Sequence, residues 1–460
     1  MNLLEENILV YGIGATGIAA ARFLAGEGAG VLAVDDRPLS ELHEAEAALG
    51  KIGVNIRGGF AGSPLPREIS LVVASPGVPP SNQLLREAEA KGVDVISEIE
   101  LASRFIQAPI IAVTGTNGKT TTTEFIAHIL RRWGKRIFVG GNIGNPLVNC
   151  AGRDDDIDFL VVEVSSFQLQ RIRYFHPRIA VLLNVGSDHL DYHGSIDAYH
   201  AAKSRVFENM KADDLAILNA DDPHSSELER SIEAEVLYFS VMHRLERGIF
   251  ADGERLILKT SAGEDEVFSR ESIRLVGRHN LENIMAGIVA VRHCGCPAEA
   301  IREGLATFVG PPHRMEHVAT REDITYYNDS KGTNADAVSA ALESCERPVV
   351  LLMGGRDKGE NFGRLANSIR RKVRKLVLFG EAAPVIETAL GGLVAITMKR
   401  TLGEAVDEAL MSARRGDTVL LSPGCSSFDE FRDYRERGEF FRDRVLSAAA
   451  FSKTPMREES

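Results

Sequence analysis

Short apolar runs alternate with helical stretches along most of the chain, and this alternation limits the possible folds more than any other feature. In the first third, the strand-like runs Asn7–Tyr11 and Gly30–Asp35 flank the helical stretch Ala15–Glu27. The same order returns after residue 108 and again in the last third. Strands that alternate with helices indicate βαβ units and parallel sheets. The predicted fold class is therefore α/β.

Chain length and proline positions divide this pattern into three predicted domains. A chain of 460 residues corresponds to about three domains at roughly 150 residues each. Gly310-Pro311-Pro312 cannot continue a helix and predicts a boundary. Short alternating runs between Tyr238 and Ile273 are typical of antiparallel strands at a domain edge. We predict a Rossmann-like domain at 1–97, a central domain with a parallel sheet plus a small antiparallel sheet at 98–310, and a Rossmann-like α/β domain at 311–460.

Charge and composition exclude several classes of function. The formal net charge of −12 disfavours a nucleic-acid partner but allows a small phosphorylated ligand held by local groups. Five cysteines predict reduced thiols in a reducing compartment. The apolar stretch Ile8–Val34 is interrupted by Arg22, Glu27 and several glycines, and Met1–Asn7 has no basic cluster. We therefore expect a cytoplasmic protein without a membrane span.

The strongest local motif is the run Thr114-Gly115-Thr116-Asn117-Gly118-Lys119-Thr120-Thr121, which follows an apolar strand and opens a helix. Small residues let the backbone wrap around phosphate groups, with successive amides directed at the oxygens. Lys119 is predicted to reach the β- and γ-phosphates, and Thr120 to ligate Mg²⁺. Val113 occupies the place of the first glycine in the strict pattern, so this is a variant phosphate loop. It predicts that the central domain is of the P-loop ATPase type.

A second glycine motif, Gly12-x-Gly14-x-x-Gly17, follows the first strand. Asp35 and Asp36 end the next strand, close to the distance expected for a ribose-binding acid. Alone, this motif favours NAD or FAD on a helix N-terminus. An NAD-dependent dehydrogenase is therefore one alternative, although it leaves the Lys119 loop unexplained, and NADH binding measured by fluorescence would detect it.

Further polar residues follow strands that lie after the phosphate loop. Glu163 ends one strand, Asp188-His189 follows the next, and Lys203 lies on the helical stretch Ile196–Met210. Because the carboxyl ends of parallel strands meet at one edge of a sheet, Glu163 and His189 are candidates for the site at the phosphate loop.

The last third contains polar, glycine-containing loops at successive strand ends. Each could be a helix cap, but together they favour a binding surface. By contrast, the mixed charges of Asp429–Arg444 are interpreted as mostly a solvated helix surface. The loops are Asn328–Asn334, Gly354–Gly359 and Ser422–Phe428, and His313-Arg314 precedes them directly after the proline pair.

Taken together, these motifs resemble the Mur ligases of bacterial cell-wall synthesis. The resemblance extends over essentially the whole chain, and the loop Asn328–Asn334 favours the members that add D-glutamate. Gly424, Ser426 and Glu360-Asn361 depart from the residues common in the family. The motifs that carry the resemblance are Gly12–Gly17, Thr114–Thr121, Gly141–Gly144, Glu163–Leu169, Asp188–Asp191, His313-Arg314 and Asn328–Asn334.

The resemblance implies an ADP-forming ligase of peptidoglycan precursor synthesis that joins D-glutamate to UDP-N-acetylmuramoyl-L-alanine through an acyl phosphate. It implies ATP, two Mg²⁺ ions, a carbamylated Lys203 and a monomeric chain. The implied catalytic residues are Lys119, His189 and Lys203. The implied metal ligands are Thr120, Asn142, Glu163, His189 and Lys203. The implied ATP contacts are Gly115, Thr116, Asn117, Gly118, Lys119, Thr120, Thr121, Asn280, Asn283, Arg314 and Asp329.

The resemblance also divides the substrate contacts between the first and last domains. The implied UDP-substrate contacts are Gly14, Ala15, Thr16, Gly17, Asp36, Arg37, Ser75 and Gly77, with Asn142 in the central domain. The implied D-glutamate contacts are Lys331, Thr333, Lys358, Ser427, Phe428 and Tyr434. Two further alternatives stay open, a regulatory P-loop ATPase without a ligase step and a ligase for another amino acid.

Overall fold

A computed structural model describes residues 3–4, 6–186, 190–259 and 265–451. The chain forms two compact units. Unit 1 comprises residues 1–272 and 282–308, and unit 2 comprises residues 273–281 and 309–460. No helix within the described ranges is long and apolar enough to cross a membrane.

The first sheet of unit 1 has five parallel strands in the order β3-β2-β1-β4-β5. The strand order reverses beside β1, and such a switch point leaves a crevice at the carboxyl ends of the strands. The strands are β1 (Asn7–Tyr11), β2 (Gly30–Val34), β3 (Asn55–Arg57), β4 (Leu71–Ala74) and β5 (Asp94–Ile96). The helices of this part are α1 (Ala15–Gly26), α2 (His43–Leu49) and α3 (Gln83–Ala90).

The second sheet of unit 1 has nine strands in the order β14-β13-β12-β11-β10-β9-β6-β8-β7. Its strands are β6 (Ile110–Thr114), β7 (Ile137–Gly141), β8 (Phe159–Glu163), β9 (Ile179–Leu182), β10 (Leu215–Asn219), β11 (Glu235–Ser240), β12 (Gly248–Asp252), β13 (Arg255–Lys259) and β14 (Asp265–Ser269). The accompanying helices are α4 (Glu98–Ser103), α5 (Lys119–Arg132), α6 (Ser166–Leu169), α7 (Leu190–His193), α8 (Ile196–Ser204), α9 (Pro223–Glu229), α10 (Arg278–His293) and α11 (Ala298–Thr307). Helix α10 belongs to unit 1 from Glu282 onward.

Unit 2 contains a six-stranded sheet in the order β15-β16-β20-β17-β18-β19, in which β15 is antiparallel to its neighbour. Its strands are β15 (Glu316–Arg321), β16 (Ile324–Asn328), β17 (Val349–Gly354), β18 (Val373–Phe379), β19 (Ala395–Met398) and β20 (Thr418–Leu421). Its helices are α12 (Ala335–Glu343), α13 (Ala366–Lys372), α14 (Ala383–Leu390), α15 (Leu402–Ser412) and α16 (Tyr434–Phe451).

The predicted α/β class is confirmed, with three sheet-containing domains. The predicted antiparallel strands are also present, as β12, β13 and β14. They continue the edge of the parallel sheet, because β12 pairs in parallel with β11. The helix predicted over Ile196–Met210 ends earlier, at Ser204, and a short 3₁₀ turn follows.

The segment Asp429–Arg444 requires a correction. Arg437 on α16 is completely buried rather than solvated. Its Nε donates to Ser330 Oγ at 3.0 Å, Nη2 to the Ser330 carbonyl at 2.8 Å and Nη1 to the Cys425 carbonyl at 3.1 Å. Burial lowers the pKa of Arg437 to about 10. Charge patterning along one helix cannot show such contacts, because the acceptors lie on loops distant in sequence.

Candidate active site

A cleft of about 380 Å³ lies at the switch point of the first sheet. Most of the predicted UDP-substrate residues line this cleft, whereas Gly17, Arg37 and Asn142 do not. The lining residues are Tyr11, Gly12, Gly14, Ala15, Thr16, Asp35, Asp36, Ser75, Pro76, Gly77, Val78 and Pro79.

The glycines of this cleft have different physical roles. A Cβ on Gly17 would lie 2.0 Å from the Gly12 carbonyl oxygen, so only glycine allows α1 to approach the β1 turn this closely. A Cβ on Gly14 would meet nothing within 4 Å. Gly17 therefore permits the packing, and Gly14 leaves space in the cleft for a ligand.

Asp35 organises the floor of the cleft. Its Oδ2 accepts the Ile13 amide at 2.8 Å, and its carboxylate binds the Arg37 guanidinium at 2.9 and 3.0 Å. Burial opposes ionisation of Asp35, but the bonds from Arg37 and Ile13 prevail and lower its pKa to about 2. Asp36 instead accepts the Tyr11 hydroxyl at 2.6 Å, and burial together with this carboxylate raises the pKa of Tyr11 to about 12. The two adjacent acids that the sequence could not distinguish therefore have separate partners.

The phosphate loop joins β6 to α5 as predicted. Gly118 is the N-cap of α5 in a left-handed conformation, and the helix has no side-chain cap there. The first amides of such a helix are available to an anion. Lys119 Nζ donates to the carbonyls of Gly115 and Thr116 at 2.8 and 2.9 Å. Asn184 binds Asn117 through its side chain, a loop contact that the motif did not reveal.

Three oxygen-bearing side chains meet beside this loop. Thr120 Oγ1 donates to Glu163 Oε2 at 2.8 Å, and Asn142 Nδ2 donates to Glu163 Oε1 at 2.8 Å. Hydroxyl, amide and carboxylate oxygens are the ligands that Mg²⁺ prefers, so these residues fit the ion that the sequence predicted. Over the part of the chain that the structure describes, no group of three His, Cys, Asp or Glu residues converges on a metal position.

Lys203 reaches the same loop from α8. It is only 1% exposed, and its Nζ donates to the Gly115 carbonyl at 2.8 Å. The ammonium group lies 4.7 Å from the ring centroid of Tyr199, whose hydroxyl is 3.1 Å from Thr116 Oγ1. Tyr199 thus belongs to the site, although sequence analysis did not select it. The predicted residue His189, with Asp188, lies outside the described residues.

A tight turn follows Glu163 and carries further polar groups. Ser165 and Gln168 form a reciprocal capping box at the start of α6. Ser166 Oγ lies 3.0 Å from His193 Nε2. Neither these serines nor Gln168 were predicted as site residues, although they belong to the motif Glu163–Leu169. Their position directly after the end of β8 was the available signal.

In unit 2, the carboxylate of the predicted residue Asp329 accepts two hydrogen bonds. Its Oδ2 accepts the Ser422 hydroxyl at 2.8 Å and its Oδ1 accepts the Met315 amide at 3.2 Å. Burial raises the pKa of Asp329 to about 6, although the charge of Arg314 opposes the shift.

The two predicted asparagines of α10 are buried. Asn280, in unit 2, donates to the Val276 carbonyl at 2.8 Å. Asn283, in unit 1, adjoins the phosphate loop, since a Cβ on Gly118 would lie 2.1 Å from its Oδ1.

The predicted D-glutamate residues lie on three loops of unit 2 and, for Tyr434, at the start of α16. Lys331 Nζ lies 5.6 Å from the ring centroid of Tyr434. The Lys358 loop is closed by Asp357 Oδ1, which accepts the amides of Gly359 and Glu360 at 3.0 Å each, and it leaves Lys358 exposed. Thr333 is half-buried, Ser427 is buried, and Phe428 is exposed. Arg437 joins the Lys331 loop to the Ser427 loop through Ser330 and Cys425.

A phosphate loop on the central sheet and a separate glycine-lined cleft on the first sheet define a P-loop α/β protein with a second cleft. Three family models match the chain. They are the Mur ligase MurD-like N-terminal domain at residues 6–97, the Mur ligase middle domain at residues 113–291 and the Mur ligase glutamate ligase domain at residues 313–425. The chain belongs to the Mur ligase family.

Relatives match over nearly the full length. The UDP-N-acetylmuramoylalanine--D-glutamate ligase of Syntrophus aciditrophicus is 45% identical, over 98% of this chain and 99% of the relative. The ligase of the same name from Koribacter versatilis is 39% identical, over 98% of this chain and all of the relative.

Solved structures share the fold at low sequence identity. The MurF ligase of Thermotoga maritima, in complex with ADP, superposes with a TM-score of 0.61 at 18% identity, over 91% of this chain and 96% of the other. UDP-N-acetylmuramate-alanine ligase MurC of the same organism gives a TM-score of 0.57 at 20% identity, over 96% of this chain and 99% of the other.

Alanine substitutions of Gly17 and Gly14 should affect different properties, stability for Gly17 and ligand binding for Gly14. Gly17→Ala should lower the free energy of unfolding by about 3 kcal/mol, because its methyl group would overlap the Gly12 carbonyl. Gly14→Ala should cost less than about 1 kcal/mol but weaken UDP binding, because its methyl group enters the open cleft. Urea denaturation and calorimetric titration with UDP measure the two effects, and equal destabilisation by both variants would contradict this assignment.

Asp329 predicts a pH dependence for unit 2. Its folded-state pKa of about 6 lies above the ordinary value of 3.8, so its contribution to stability is present below pH 4 and is lost as pH rises through 6. Asp329→Asn does not titrate at this position. Relative to this variant, the free energy of unfolding of the wild type should fall by roughly 3 kcal/mol between pH 4 and pH 6. Urea denaturation of the full chain, with amide exchange in β16 and β20 as the local probe, measures this difference. The exposed control Asp443→Asn should keep the wild-type pH dependence.

Proposed function

We propose that the chain is an ADP-forming ligase that joins D-glutamate to UDP-N-acetylmuramoyl-L-alanine in peptidoglycan precursor synthesis. The observation that carries the proposal is the Thr120–Glu163–Asn142 group at a phosphate loop, in a chain that also has a separate nucleotide-sized cleft. The names of its full-length relatives specify the amino acid. The proposed domains are 1–97, 98–310 and 311–460, in a monomeric, cytoplasmic enzyme.

The reaction brings two negatively charged groups together. The alanine carboxylate attacks the γ-phosphorus of ATP, the bond to the β-phosphate oxygen breaks, and an acyl phosphate and ADP form. The D-glutamate amine then attacks the carbonyl carbon, loses a proton and displaces phosphate through a tetrahedral intermediate. Charge neutralisation and orientation supply most of the catalysis in such steps.

The residues of the central domain suit these tasks. The Gly115–Lys119 loop at the start of α5 suits the phosphates, and Lys119 compensates their charge at the loop. Thr120 and Glu163 suit one Mg²⁺, and Asn142, His189 and carbamylated Lys203 suit the second. When bound, the two ions neutralise the negative charge that builds up between the reacting groups.

The outer domains supply recognition. The first cleft holds the UDP part of the substrate, with backbone groups of Gly14–Gly17 near the diphosphate. The family resemblance assigns ATP contacts to Asn280, Asn283, Arg314 and Asp329. D-glutamate carries two carboxylates, which Lys331 and Lys358 can pair, while Thr333, Ser427, Phe428 and Tyr434 surround them.

A substrate panel tests the proposal. Phosphate release should require ATP, UDP-N-acetylmuramoyl-L-alanine and D-glutamate together, and L-glutamate, L-lysine and diaminopimelate should not replace D-glutamate. Lys119→Met, the matched inactive variant, should lose release because no charge compensates the phosphates. Release without an acceptor would indicate a regulatory ATPase, and release with another amino acid would indicate a different ligase.

Lys203 predicts a chemical rescue. An unmodified ammonium would repel a cation beside Gly115, whereas a carbamate offers the oxygen ligands that Mg²⁺ prefers. Lys203→Ala should lower kcat by roughly 100-fold, and added acetate or formate should restore part of the rate. The exposed control Lys211→Ala should keep wild-type activity. Full activity of Lys203→Ala would exclude the carbamate.

A further inference from the structure

Helix α4 carries two carboxylates that are buried almost completely, Glu98 at 1% and Glu100 at 0% exposure. Acidic side chains are seldom buried unless a specific set of donors compensates them. The helix begins directly after β5, where the chain leaves the first sheet, and the Ser97 amide donates to the Arg171 carbonyl at 3.0 Å. The two acids therefore lie at the passage from the substrate cleft's sheet to the phosphate loop's sheet.

Glu100 binds one connection of the central sheet. Its Oε2 accepts three consecutive amides, those of Arg173, Tyr174 and Phe175, at 2.8, 2.9 and 2.9 Å. Its Oε1 accepts Arg104 Nε at 2.9 Å. The three amides belong to the segment that returns from the Ser165–Gln168 turn towards β9. Glu100 thus binds the later part of the connection between β8 and β9, which begins after Glu163.

Glu98 binds the neighbouring connection. Its Oε1 accepts the Val148 amide at 2.6 Å, in the segment that follows β7 and begins with Asn142. Among the residues that the structure describes, Glu98 Oε2 has no hydrogen-bond partner. Burial raises the pKa of Glu98 to about 7, although the amides of Val148 and Leu147 oppose the shift.

The two connections meet at the candidate metal ligands. The Asn142 amide donates to the Glu163 carbonyl at 2.8 Å, and the Asn142 side chain donates to the Glu163 carboxylate. A shift of either connection would therefore change the distance between these oxygen donors. Outer contacts of this kind set the orientation of metal ligands.

We propose that Glu98 and Glu100 are positioning residues that hold Asn142 and the Ser165–Gln168 turn in place through the segments that follow them. Through α4, they also fix these ligands relative to the first sheet and its cleft. This inference rests on the proposed function for its kinetic consequence, but not for its structural one.

Glutamine substitutions distinguish the two positions. In Glu100→Gln an NH₂ group replaces one carboxylate oxygen. This NH₂ group faces either the three backbone amides or the Arg104 guanidinium, so two hydrogen-bond donors face each other in both orientations. In Glu98→Gln the remaining oxygen can still accept the Val148 amide, and the NH₂ group takes the place of Oε2. Glu100→Gln should therefore have the larger effect. Glu44→Gln on α2, an exposed position, is the matched control.

Kinetics with the full substrate set provide the first test. For Glu100→Gln, the half-saturating Mg²⁺ concentration should rise roughly tenfold, while UDP binding measured by calorimetry stays unchanged because the cleft lies on the first sheet. Glu98→Gln should show a smaller rise and Glu44→Gln none. A loss of kcat proportional to the unfolded fraction, with an unchanged Mg²⁺ requirement, would overturn the positioning role.

Amide exchange provides a second test that does not depend on the reaction. Glu100→Gln should lose protection at Arg173–Phe175 and at the Ser165–Gln168 turn, with protection in β1 retained. Loss of protection throughout the first sheet, or no change at the turn, would overturn the inference. If the wild type releases no phosphate with the full substrate set, the proposed function is wrong, and the exchange data alone decide whether the two acids hold these connections.

Discussion

The register of three parallel strands is the constraint on which the candidate active site depends. Val113 of β6 and Gly141 of β7 both lie opposite Glu163 of β8, so the three strands end within one residue of the same level. The phosphate loop, the Asn142 segment and the Glu163 carboxylate therefore begin side by side. The hydrogen bonds that Glu163 accepts from Thr120 and Asn142 follow from this register. A slip of one residue would direct the Glu163 side chain to the opposite face of the sheet.

Buried charge in this protein is compensated locally. Asp35 is held by Arg37 and a backbone amide, Arg437 by carbonyl groups of two loops, and Glu100 by three amides and Arg104. Each charge therefore fixes the geometry of a loop in place of pairing with a distant ion. This explains how a chain with a net charge of −12 can offer anion-binding surfaces. Backbone amides and single lysines act over short distances, whereas net charge acts on long polyanions.

Much of the fold and part of the site could be predicted because the signals are local. The bounds of β1 are as predicted, and the helix predicted after the phosphate loop begins at Lys119. Strands β10 and β3 were not predicted. With three residues, β3 is too short to show a periodicity. Tyr199 and Arg437 were also not selected. Tyr199 lies beside Thr116, 83 residues away, and Arg437 binds Ser330, 107 residues away, so no spacing rule connects these pairs.

The sequence by itself determined the α/β class, the two glycine loops, the position of Lys119 at the start of a helix and that of Glu163 at the end of a strand. These properties follow from the periodicity of apolar residues and from the need for glycine where the backbone approaches itself, as at Gly17. Only the tertiary structure decided which neighbouring acid binds which partner, as for Asp35 and Asp36, and which charged residues are buried, as for Arg437 and Glu100. The reason is that burial and hydrogen-bond partners depend on segments that folding brings together. The distances between such segments cannot be derived from their order in the sequence.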